Sequence, residues 1–90
     1  MPDPDNFVTA CLQDLARGDQ DAVHRLLPCI YEDLRAIAKR MQPRNRAHSL
    51  NATALVHEAY LRMAREGFEG LTDRAHFLAV ASTAMRHIMV

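Results

Sequence analysis

Glycine and proline are scarce in this chain of 90 residues, with three and four copies, and tryptophan is missing. So few loop formers leave little room for long connections. Strand signals are missing as well, because no segment alternates apolar and polar residues with β-branched enrichment. Charge-free runs such as 77–85 are too short to cross a bilayer, and the start Met-Pro-Asp-Pro-Asp lacks the basic and apolar parts of a signal peptide. The expectation is a cytoplasmic protein without membrane contact. Two cysteines, Cys11 and Cys29, fall at apolar positions of expected helices with no C-x-x-C spacing. They read as ordinary reduced core residues, and no disulfide is expected. A chain of this size buries only about 60% of its unfolded surface, so its stability should be modest.

What is present is helical periodicity. The first apolar stripe, Phe7, Val8, Cys11, Leu12 and Leu15, spans residues 4–16, with Asp3 as cap, Pro4 in the first position and Gly18 as the left-handed stop. A second helix is expected to begin at the N-cap Asp19 and to hold its repeat from Val23 to Met41 for about five turns. Pro28 lies inside that pattern and predicts a kink rather than two helices. Residues 42–49 form a polar, basic connection. Asn51 or Thr53 caps a third helix that runs to about Glu66, and Thr72 or Asp73 opens a fourth with Phe77, Leu78, Ala81, Ala84, Met85 and Ile88 as its buried stripe. No helix-stop signal follows Ile88, so the last helix reads as truncated. The fold class is therefore all-α, a compact bundle of about four helices.

The formal net charge is zero, yet its distribution is uneven. Residues 1–33 carry a balance of −5, residues 34–65 a balance of +6, and the remainder −1. Such asymmetry fits a divided surface with one side suited to a polyanion, and it fits solvated helix faces equally well.

Enzymatic constellations do not assemble. His57-Glu58 opens like a zinc-protease H-E-x-x-H, but Leu61 stands where the second histidine would be. His76 and His87 share a helix face about 16 Å apart, too far to hold one metal. There is no glycine-rich phosphate loop and no nucleophile motif. Neither catalysis nor a cofactor is expected.

Two helix faces carry more information. On the third helix, Leu55, Val56, Ala59, Tyr60 and Met63 share the core side, whereas His57, Glu58, Arg62 and Arg65 surround Leu61 on the other. A lone exposed leucine is common. Ringed by charges of both signs, it also has the form of a small binding centre with a polar rim. The outer face of the fourth helix carries His76, Ala79, Val80, Thr83, Arg86, His87 and Val90 without any acid. That suits a phosphate- or base-facing surface, and it would equally suit a covering helix.

These residues carry a family pattern. The segment Ala54-Leu55-Val56-His57-Glu58-Ala59-Tyr60-Leu61-Arg62 resembles the Asp-Leu-Val-Gln-Glu-Val-Phe-Leu-Arg type found in bacterial extracytoplasmic-function (ECF) sigma factors. Gly18-Asp19-x-x-Ala22 with Leu26-Leu27-Pro28 and Tyr31-Glu32-Asp33-Leu34-Arg35 is similar to the first helix of their region 2. Asp73-Arg74-Ala75-His76-Phe77 with Ala84-Met85-Arg86-His87-Ile88 resembles the promoter-recognition helix of an ECF-like subgroup. Order and spacing agree from about Phe7 to Val90.

The resemblance implies that residues 1–90 form a sigma region 2 domain, without the second sigma domain that reads the −35 element. It implies docking of Leu55, Val56, His57, Glu58, Leu61, Arg62 and Arg65 on the β′ clamp helices of core RNA polymerase. It further implies contact of Arg74, His76, Val80, Thr83, Arg86 and His87 with the −10 promoter element, including an extruded base. An anti-sigma protein is a further partner class, and the polymerase itself would perform the nucleotidyl transfer. Many members carry Trp where this chain has Val80 and Gln where it has His57. Val80 cannot stack on a base, so strand capture would lean on the loop after Gly67, Arg74, His76 or Arg86. Arg74 also falls near the core side of its helix and fits equally well as the structural partner of an acid. The alternative function is a small helical protein-interaction module without DNA binding.

Overall fold

The computed structural model describes residues 4–41, 51–68 and 70–89. Among them are four α-helices and no strand: α1 (Pro4–Ala16), α2 (Ala22–Met41), α3 (Ala52–Glu66) and α4 (Arg74–Met89). The expected cap at Asp3 and the basic connection 42–49 lie outside the described residues.

Local chemistry accounts for most of the helix ends. Gly18 after α1 and Gly67 after α3 take φ of 98° and 89°, where a side chain would be strained. Asn51 caps α3, its side-chain oxygen accepting from the Ala54 N–H at 2.7 Å. Asp73 does the same for α4, accepting from the His76 N–H at 2.8 Å.

The start of α2 differs from expectation. It begins at Ala22 rather than directly after Asp19, and residues 20 and 21 form a turn. One Asp19 carboxylate oxygen accepts from the Asp21 N–H at 3.0 Å, while the other holds Arg25 at 3.1 Å. Bonding two residues ahead makes an Asx-type turn, so this aspartate shapes the loop before the helix takes over. Farther along, α2 runs unbroken through Pro28. The proline is exposed, where water can satisfy the carbonyl that it leaves without an N–H partner.

α1 packs on α2, and α3 on α4. The two pairs join through α2 against α3 and α4, with a smaller contact between α1 and α4. The core takes Leu12 from α1, Leu26 and Ile30 from α2, Leu55 from α3, and Phe77 and Met85 from α4, all fully buried. Two stripe members fall outside it. Phe7 is 39% exposed, because it sits about a quarter-turn off the axis of Val8, Leu12 and Leu15. Cys29 is exposed rather than core, since it lies on the same edge of α2 as Arg25, one turn on. Cys11 is buried, as expected.

Candidate functional site

α3 has two distinct sides. Leu55 and Val56 are 0% and 2% exposed and belong to the core, so neither offers a side chain to a partner. Any part they take in docking is confined to the edge of the face. Leu61 stands on the opposite side at 53% exposure, with His57, Glu58 and Arg65 exposed and Arg62 half-buried around it. Arg62 Nε lies 3.9 Å from Glu66 Oε1, one turn further on. Both side chains reach solvent, so this pair holds Arg62 only weakly.

α4 contains no acidic residue. His76, Thr83, Arg86 and His87 are exposed on it, and Val80 is half-buried. His76 Nδ1 accepts from the Thr72 N–H at 3.3 Å, so the ring is turned back over the helix start with Nε2 left as its other polar atom. The Thr83 hydroxyl donates to the Ala79 carbonyl at 3.2 Å, which keeps its oxygen able to accept. Arg74 is different. Its guanidinium is ion-paired with Asp33 of α2, and it is half-buried. Of the two readings of this arginine, the structural partner of an acid is the one observed, and the pair ties the start of α4 to α2.

The crossing of α3 and α4 joins residues that belong to two separate faces in the sequence. A groove of about 370 Å3 runs between them, lined by Arg62, Met63 and Glu66 from α3 and by Ala79, Val80, Thr83, Ala84 and His87 from α4. Arg62 thus meets Val80, Thr83 and His87 across one depression. Glu66 was not singled out by pattern; its place one turn after Arg62 was the available signal.

Phe68, also missed, follows the glycine that ends α3. Its ring lies 5.8 Å from Tyr60 and stacks at 6.2 Å on the buried Phe77. Burial pushes the Tyr60 phenol up. Tyr60 and Phe68 help line a second depression of about 390 Å3 with Gln20 and His24 of the α1–α2 turn region.

No cluster of three or more His, Cys, Asp or Glu able to hold a metal occurs among the described residues. None of the described helices is long and apolar enough to cross a membrane.

The described residues thus form an all-α bundle with an apolar-centred, charge-rimmed face on α3 and an acid-free face on its neighbour α4. The sequence profile of the family described as ECF sigma factor matches residues 5–90. The chain belongs to the ECF sigma factor family, and its role is that of a sigma factor in transcription initiation. That family consists of transcription regulators and is not an enzyme class. Membership implies interaction with RNA polymerase and promoter DNA, and its members are generally cytoplasmic. No curated protein and no solved structure matches the chain closely enough to count as a relative.

Proposed function

We propose that the chain is a sigma region 2 domain that docks on the β′ clamp helices of core RNA polymerase through α3 and engages the −10 promoter element through α4. The observation that carries this reading is Leu61. It is exposed at the centre of a charged ring, on the helix whose sequence resembles the polymerase-binding segment of ECF sigma factors. A small apolar centre with a polar rim is the usual anatomy of a protein interface. His57, Glu58, Arg62 and Arg65 form the rim, while Leu55 and Val56 support it from below.

The DNA side rests on Arg86, His76, Thr83 and His87, all exposed on a helix without acids. Val80 contributes an apolar wall of the groove and Arg74 acts through the position of α4. Single-strand capture combines cationic groups with stacking surfaces. Tyr60 and Phe68, beside the α3–α4 loop, supply half-buried aromatic rings. Extruding a base costs a few kcal/mol, which these contacts must offset.

The test is retention of core RNA polymerase by the folded protein at micromolar concentration, comparing wild type with Leu61→Glu. Retention that depends on Leu61 supports the reading. Absence of β′ from the retained material, with the helical circular-dichroism signal intact, overturns it and favours an interaction module for another protein.

A further inference from the structure

The Asp14–Arg25 ion pair, at 3.3 Å, ties α1 to α2 near the loop that connects them. One turn farther from the connecting loop, α1 carries Cys11 at i−3 from Asp14 and α2 carries Cys29 at i+4 from Arg25. These steps rise by about 4.5 and 6 Å along the two helices and rotate by about 60° and 40°. Because the helices run in opposite directions, both rotations carry the side chain toward the same side of the seam. The two thiols therefore stand on the same side of the α1–α2 seam, about one turn beyond Asp14 and Arg25. Cα–Cβ bonds tilt toward a helix N-terminus, which moves the Cys11 sulfur away from the loop and the Cys29 sulfur back toward it. The Cys29 thiol donates to the Arg25 carbonyl of its own helix at 3.7 Å.

The two thiols are free and unequal: Cys29 is exposed, whereas Cys11 is 2% exposed and faces the core. Burial pushes the Cys11 thiol up, Arg25 works against that, and the Cys29 sulfur is close enough to add to the rise. Arg25 is itself held by Asp14 and Asp19, so a cation is fixed beside the buried thiol.

We propose that Cys11 and Cys29 are a redox-active dithiol, converted by a hydroperoxide into a disulfide that bridges α1 and α2. Cys29, open to solvent, attacks the peroxide: an S–O bond forms, the O–O bond breaks, and the departing oxygen takes up the thiol proton as water or alcohol. Cys11 then attacks the sulfur of the Cys29 sulfenic acid along the seam. The S–S bond forms, the S–O bond breaks, and the hydroxyl leaves as water with the Cys11 proton. Two thiols are oxidised and one peroxide is reduced. Arg25 favours the negative charge that Cys11 develops as it attacks. The bridge lies on the hairpin rather than on the outer faces of α3 and α4, so it locks the scaffold and leaves the proposed docking residues uncovered. This inference does not depend on the sigma factor reading.

The experiment treats the reduced 90-residue protein, at low micromolar concentration, with one equivalent of hydrogen peroxide. The expected result is an intact mass lower by two hydrogens and linked tryptic peptides 1–17 and 26–35. The melting temperature should rise and return to its starting value on reduction. Cys29→Ser, at an exposed position that leaves the fold intact, should show neither the mass loss nor the thermal shift. Iodoacetamide should label Cys29 well before Cys11 in the reduced protein. Sulfinic acid at Cys29, or disulfide-linked dimers, in place of the intramolecular bridge would overturn the proposal. So would an unchanged melting temperature in the bridged species.

Discussion

Replacing Leu61 separates a docking residue from a core residue by magnitude alone. Burying a whole leucine side chain contributes about 1.5–3 kcal/mol. With Leu61 53% exposed, less than half of that is at stake in the fold, so Leu61→Ala should cost about 1 kcal/mol or less. In a domain of this length that lowers the melting temperature by about 4–8 °C at most. Leu55, fully buried on the same helix, is the control: Leu55→Ala should cost about 2–5 kcal/mol. Binding should respond in the opposite order of subtlety. A partner that covers the exposed half of Leu61 gains roughly 1–1.5 kcal/mol from it, which is about five- to tenfold in Kd for the alanine variant. Leu61→Glu should weaken binding further, because the new carboxylate stands near Glu58 in a patch that the partner must dehydrate. Thermal melts followed by circular dichroism, with titration of labelled protein against core polymerase, measure both quantities. A drop in melting temperature as large as that of Leu55→Ala would refute the face assignment. Binding unchanged in a folded Leu61→Glu protein would refute the docking assignment.

Three further substitutions test the remaining faces. Arg74→Ala removes the ion pair with Asp33; with side chains 34% and 38% exposed, the pair should be worth under about 1 kcal/mol. Thermal melts should show a loss of a few degrees while the salt dependence of single-strand binding stays the same, and a reduced salt slope at unchanged melting temperature would place Arg74 on phosphate. Arg86→Ala should leave the melt unchanged and reduce the salt slope for −10-like single strands by about 0.7, read by fluorescence anisotropy over a potassium chloride series. An identical slope would remove Arg86 from the DNA face. Asn51→Ala deletes the 2.7 Å cap bond of α3 and should lower stability in urea by about 1 kcal/mol, with Asn51→Asp largely restoring it.

The parts of this fold that local chemistry decides were readable before any coordinates. The stop at Gly18, the cap at Asn51 and the span of α3 follow from positive φ, one side-chain acceptor and a clear apolar stripe. Leu61 was readable for the same reason, since a helical wheel separates it from Met63 and Ala59 without reference to anything else. What escaped is tertiary. Asp19 shapes a turn because Arg25, six residues on, shares its carboxylate. Arg74 finds an acid 41 positions earlier, which no local spacing reveals. Cys29 obeys the apolar repeat well enough to pass as core, yet it stands at the edge of the α1–α2 seam. The groove between Arg62 and His87 depends on how two helices cross, whereas periodicity treats each helix alone.

That crossing gives the candidate site its form. Ala59 of α3 and Ala81 and Ala84 of α4 are buried and small, which permits close approach between two helix axes. The outer faces of α3 and α4 are then neighbours, separated by the groove that Arg62 and His87 share. Among the described residues Arg62 is paired with Glu66 alone, at 3.9 Å, so it can turn toward an acidic partner or a phosphate at little loss. Glu66 is the one acid among the groove-lining residues, and it offsets the charge of Arg62 on the α3 wall. On the proposed reading, a bound strand follows the acid-free α4 side, along His76, Thr83 and Arg86. The same reading leaves the Leu61 centre of α3 to the polymerase.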